Sequence, residues 1–168
     1  MLHRIKGRAT KCGPSAISAI AGIHTHDAAA IIRRLFDRPN VNGVYMDELA
    51  AALIELGWHP EYALRHRNLH NRRHARRQDT YDSIFADVPS ETRSVTIGRV
   101  LDVWPSGTWA IATTTHLIAY SDTFVADSGS WFSRKPERWI RANPRHDRVA
   151  RRRLEEAVRF SPPPPDRS

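Results

Sequence analysis

Apolar positions along the chain change period near its middle. Residues 16–22 form a short alanine- and isoleucine-rich run closed by Gly22, which predicts a helix entered at Cys12. Thr25 is a helix-start residue followed by the early acid Asp27, and apolar side chains then recur at helical spacing to Phe36. The stretch 37–43, rich in Asn, Pro and Gly, breaks the pattern, and residues 46–57 resume it as a third helix ending at Gly57. Residues 96–104 form a last helical stretch, stopped by Pro105-Ser-Gly.

Beyond that point the period shortens. Residues 108–114, 116–120 and 123–127 are rich in β-branched and aromatic side chains and predict three strands, the last two joined by a turn at Ser121-Asp122-Thr123. Helices followed by an antiparallel sheet imply an α+β domain, placed at residues 1–144. Residues 145–168 then predict a charged helix and a tail that includes four prolines. No internal repeat is present.

The sequence holds one cysteine, so no intrachain disulfide can form. Met1-Leu-His-Arg-Ile-Lys lacks a signal-peptide pattern, and no apolar run reaches the roughly 18 residues that span a bilayer. The expectation is a cytoplasmic protein with no membrane contact (the host cytoplasm, for a phage protein).

Net charge is +8, from 26 Lys and Arg against 18 Asp and Glu. The excess concentrates in residues 65–77, which hold six arginines, three histidines and no acid. Such a block predicts an exposed basic insertion, with Arg72, Arg73, Arg76 and Arg77 facing an acidic protein or nucleic acid. No aromatics interleave with these arginines, which weakens the nucleic-acid option. His66, His70 and His74 recur every four residues, but the surrounding arginines oppose a dication, so neither metal nor cofactor is expected. His24 and His26 are assigned surface or capping roles, and the pairs Asp47-Glu48 and Glu155-Glu156 helix surfaces. No glycine-rich phosphate loop is present.

Cys12 carries the chemistry. A helix start offers unpaired N–H groups and a positive dipole end, which favour thiolate over thiol. A thiolate nucleophile needs an imidazole, and His116 stands at the head of a strand anchored by the apolar run behind it. If residues 122 and 123 form a two-residue loop, Ile118 pairs with Asp127, on the face that strand alternation assigns to His116. A three-residue loop would turn Asp127 away, leaving Asp122 and Asn143 as fallback orienters. Trp109, Tyr120 and Trp131 either line the cleft or pack the core, and packing is the stronger expectation.

Cys12-Gly-Pro-Ser-Ala at a helix start, with His116-Leu-Ile-Ala-Tyr and Phe124-Val-Ala-Asp on successive late strands, resembles the papain-like cysteine peptidases. The resemblance spans residues 10–131 and is nearest the compact bacterial and phage members related to bacteriocin-leader peptidases. It implies helices packed on a small antiparallel sheet and a Cys12, His116, Asp127 triad that cleaves a protein or peptide substrate through a thioester. Acyl transfer and deamidation need the same residues. No glutamine precedes Cys12, so oxyanion donors would come from the N–H groups of Cys12 and Gly13, with Thr10 or Arg8. The alternative is a non-catalytic basic protein, phage-related, that binds nucleic acid or an acidic assembly.

Overall fold

The computed structural model describes residues 1–8, 10–67, 75–94, 96–103, 106–114, 116–121, 124–127, 130–133 and 152–165, with backbone alone at 101–103, 124 and 130–133. Helices α1 (Cys12–Ala21), α2 (Thr25–Phe36) and α3 (Met46–Glu55) come first. Then follow β1 (His59–Arg65), α4 (Gln78–Phe85), β2 (Ser90–Thr92), α5 (Ile97–Val103), β3 (Thr108–Ala112), β4 (Leu117–Tyr120), β5 (Phe124–Asp127), β6 (Ser130–Ser133) and β7 (Glu156–Ser161). The described strands form one sheet in the order β2-β1-β7-β3-β4-β5-β6. All neighbours are antiparallel except β1 and β2. The fold is therefore α+β, with a mixed seven-stranded sheet in place of the small antiparallel one expected.

Helix α1 sits where it does because the sheet beneath it is shallow. The register aligns Ala110 with Ala119 and Ala119 with Ala126, a row of three methyl side chains across β3, β4 and β5. Residues Gly13 to Ile20 of α1 are buried, and Ala16, Ile17, Ala19 and Ile20 join those alanines in one core. Larger side chains in that row would lift the helix and carry Cys12 with it. The alternate positions, including Ile111, Ile118 and Val125, face the other way and pack with Ile97 and Val100 of α5. Trp109 and Tyr120 belong to this second core, stacked with centroids 5.7 Å apart, so both are packing residues. The side chain of Trp131 lies outside the described residues.

The C-terminal expectation is corrected. Residues 156–161 are not helical: they form β7, hydrogen-bonded between β1 and β3, so the domain does not end at residue 144. The alternation is period two. Val158 and Phe160 pack under the helices while Ala157 points to the α5 side. Residues 145–151 lie outside the described residues.

The acidic pairs assigned to helix surfaces are also corrected, because Asp47, Glu48, Glu155 and Glu156 are all buried. Glu156, 1% exposed, accepts from the Tyr81 hydroxyl and from Arg65 Nε at 3.2 Å. Burial pushes its carboxyl up, opposed by those two donors. Asp47 accepts from the N–H groups of Arg76 and Arg77, both at 2.9 Å. Glu48 Oε2 accepts from Tyr45 N–H at 2.9 Å, satisfying an orphan donor at the start of α3, and its other oxygen meets Arg38 at 2.6 Å. Glu155 accepts from the Thr114 hydroxyl at 2.9 Å, so each of these buried carboxyl groups has at least one hydrogen-bond donor.

The ends of the basic block are therefore part of the framework. Arg65 is held by Glu156, His66 accepts from Arg153 Nε at 3.0 Å, and Arg76 and Arg77 dock on α3. His66 is buried and Arg65 half-buried, whereas Arg76 and Arg77 stay exposed while docked on α3. Arg72, Arg73, His70 and His74 lie outside the described residues. No helix among the described residues is long and apolar enough to cross a membrane.

Candidate active site

Cys12 is the first residue of α1, half-buried, with Lys11 in extended conformation before it (φ −129°, ψ 123°). Pro14 falls in the first turn, where its missing N–H costs no helical bond. The first intrahelical bond runs from Ser15 N–H to Lys11 C=O at 3.1 Å, which leaves the N–H groups of Cys12 and Gly13 without helical acceptors. Gly13 has a second reason to be glycine. A Cβ there would stand 2.5 Å from Cβ and Cγ2 of Val44, so the loop before α3 lies directly on the helix start.

His116 and Asp127 come from the β4–β5 hairpin. The pairs Tyr120 with Val125 and Ala119 with Ala126 set the register, and the next position outward puts Asp127 opposite Ile118. This is the register of a two-residue connection, although Asp122 and Thr123 themselves lie outside the described residues. His116 Nε2 is hydrogen-bonded to Asp127 Oδ1, and Asp127 is buried. His116 also borders the cleft beside the Cys12 thiol, close enough for each group to shift the other's titration. Its backbone is fixed too, since His116 C=O accepts from Thr113 N–H at 2.8 Å. The three expected residues thus meet in one chain of contacts. The fallback Asp122 and Asn143 lie outside the described residues.

The electrostatics favour separated charge. Burial alone pushes the Cys12 thiol up. Hydrogen bonds from His116 and Leu117 N–H, the imidazolium charge and Gly13 N–H outweigh it, so the thiol titrates below its usual range. His116 is pushed up to about 9, first by the hydrogen bond to Asp127 and then by that to Cys12, with burial opposing. Each partner stabilises the other's charged form, as in a thiolate–imidazolium pair.

A cleft of about 210 Å³ opens at the sulfur, lined by Thr10, Lys11, Cys12, Val41, Asn42, Gly43 and His116. Thr10 borders it as expected. Arg8 does not, and instead lines a neighbouring hollow. The far wall, Val41 to Gly43, is a part of the site that reading the sequence missed. Its position follows from topology, because a three-residue turn at 22–24 sends α2 back along α1, so the chain leaving α2 arrives beside Cys12. His24, at that turn, caps α2 by accepting from His26 N–H at 3.2 Å, so Thr25 is the first helical residue rather than the cap. The signal for the wall was the Asn-Val-Asn-Gly run, a loop carrying carboxamide donors.

Arg76 and Arg77 hold that wall. Arg76 donates to Gly43 C=O at 3.2 Å and lies 4.9 Å over the Tyr45 ring, while Arg77 donates to Phe36 C=O at 3.2 Å. Asn42 N–H turns onto Asn40 Oδ1 at 2.9 Å, and Arg38 donates to Asn42 C=O at 2.6 Å. Among the described residues no group of three or more His, Cys, Asp or Glu side chains is placed to hold a metal ion. Comparison with protein-family models, curated proteins and solved structures finds no match for this chain.

Proposed function

We propose that the protein is a papain-like thiol hydrolase that cleaves a peptide, isopeptide or related amide through Cys12, His116 and Asp127. The observation that supports it is that Cys12 and His116 line one cleft and shift each other's titration, while the same imidazole is hydrogen-bonded to the buried Asp127 carboxylate. A structural cysteine needs no such partner and gains nothing from a lowered thiol pKa.

In the reaction, the Cys12 thiolate attacks the acyl carbon and the carbonyl electrons move to oxygen. Collapse of that intermediate expels the amine, which takes its proton from His116, and leaves a thioester. Neutral His116 then removes a proton from water, whose oxygen displaces the Cys12 sulfur and releases the acid. Asp127 orients the imidazole and stabilises its charged form. Cys12 N–H and the carboxamide of Asn42, which borders the same cleft, supply donors for the oxyanion in place of an upstream glutamine. An acceptor other than water would make the same steps an acyl transfer.

Alkylation by iodoacetamide at pH 6 tests the reading. An ordinary thiol is only about 0.3% ionised at that pH, so Cys12 should react at least about tenfold faster than free cysteine, and His116→Ala should remove the excess. A wild-type rate no greater than that of free cysteine would sink the hydrolase and leave the basic binding protein as the better reading.

A further inference from the structure

Beside the catalytic cleft lies a larger hollow of about 520 Å³ that shares Thr10, Lys11 and Val41 with it. Its floor includes Pro14 of α1 and the buried Ala29 of α2, so it runs between the two helices from the sulfur outward. Its rim is cationic. Arg8 comes from the N-terminal segment, Lys11 from the helix cap and Arg33 from α2, with His24 and His26 beside them, and among the described residues no Asp or Glu lines the hollow.

These cations differ from the other arginines near them. Arg34, one residue on, pairs with Glu55, while Arg38 and Arg76 share Glu48. Among the described residues Arg33 donates to Pro39 C=O, at 3.2 Å, and Arg33, Arg8 and Lys11 meet no carboxylate. Three like charges facing one concavity repel one another and raise its local potential. A concave wall with apolar footing and unmatched positive charge is suited to an anionic side chain on an extended segment.

We propose that this hollow is the subsite for an acidic side chain next to the scissile amide, so that the substrate class is an acidic peptide or acidic protein segment. The proposal rests on the hydrolase reading, since it takes the shared cleft to be the place of reaction. The carboxylate of a substrate Asp or Glu sits among Arg8, Lys11 and Arg33, and the backbone beyond it passes Thr10 to reach Cys12. Arg33 is here a binding residue, separated from the acid–base machinery.

The test is protection of Cys12 from iodoacetamide by end-blocked hexaglutamate, with end-blocked hexaglutamine as the neutral probe. Hexaglutamate should slow alkylation with a concentration dependence that weakens as salt rises, and hexaglutamine should not. Arg33→Gln should weaken that protection at least about threefold, measured against the variant's own unprotected rate, and Arg33→Lys should restore it. Arg34→Gln, on the same helix but paired with α3, controls for general attraction to a chain of net charge +8 and should change nothing. Equal protection by the two peptides, or protection untouched by Arg33→Gln, overturns the proposal. A slow Cys12 without peptide overturns the hydrolase instead; labelled hexaglutamate then reports the hollow directly by anisotropy, and affinity insensitive to Arg33→Gln rejects it.

Discussion

Replacing Asp127 by Asn removes one charge and almost no volume from a side chain that is 5% exposed. The carboxamide oxygen can still accept from His116, so the hairpin and the ring orientation survive while the electrostatic support is lost. The hydrogen bond to the ionised carboxylate is the leading cause of the rise of His116 from an ordinary 6.5 to about 9, with the Asp127 charge adding to it, and a neutral amide oxygen supplies neither the charge nor a bond of that strength. At pH 7.5 a group titrating at about 9 is about 97% protonated, and one at about 6.5 is about 9% protonated. The imidazolium population should therefore fall by up to about tenfold, less whatever elevation the Cys12 contact retains. NMR titration of the imidazole resonances reads this directly, with His116→Gln identifying the signal among nine histidines. Wild-type His116 should titrate near 9, and Asp127→Asn should move it well toward 6.5. Coincident titrations in the two proteins would refute Asp127 as the source of the elevation, and a wild-type midpoint near 6.5 would refute the charge-separated pair itself.

Other perturbations reach different parts of the fold. Gly13→Ala drives a methyl group into Val44 and should destabilise the protein by about 1–3 kcal/mol in urea melts, with Val44→Ala recovering part of the loss; simple additivity would refute the contact. A chain ended at residue 151 loses β7 and should show no cooperative unfolding by circular dichroism, whereas a retained sharp transition would mean that the strand is dispensable. Tyr81→Phe removes a donor from buried Glu156 and should cost about 1–3 kcal/mol, measured by chemical denaturation; no loss would mean that the carboxylate has another partner.

Stability against pH has a sign that can be worked out. The raised pKa of His116 contributes stability that is complete below about 6.5 and lost as pH rises through about 9. The lowered pKa of Cys12 contributes stability that is complete above 9.0 and lost as pH falls through the folded value. In the wild type the two slopes oppose each other between those limits. Cys12→Ala leaves the His116–Asp127 pair alone, so its urea midpoint should decline with rising pH above about 6.5 more steeply than that of the wild type. Parallel profiles would show that the two groups are not coupled.

The site was legible in the sequence where local rules govern it. Cys12 at a helix start depends on a few consecutive residues, and the hairpin bearing His116 and Asp127 depends on one connection whose length sets the register. The outer strands were hidden because their alternation is carried partly by charged residues. β7 presents Glu156 and Arg159 among its apolar positions and β1 ends in Arg65, so both read as polar until the carboxylates and guanidinium groups find each other. The cleft wall at Val41 to Gly43 had no local signature beyond loop composition. Its place comes from the return of α2 along α1, a tertiary consequence that hydrophobic period alone does not express.

The position of β7 bears on when the fold around Cys12 can be completed during synthesis. Cys12, His116 and Asp127 have all emerged from the ribosome well before residues 156–161, yet β7 joins β1 to β3 at the centre of the sheet. Until it arrives, the β3–β5 ladder that carries the imidazole and carboxylate has an open edge, and the helices cover only half a platform. Pairing of such wide sequence separation closes slowly and late. On the proposed reading, the thiol, imidazole and carboxylate therefore reach their final arrangement only once the strand at 156–161 is inserted.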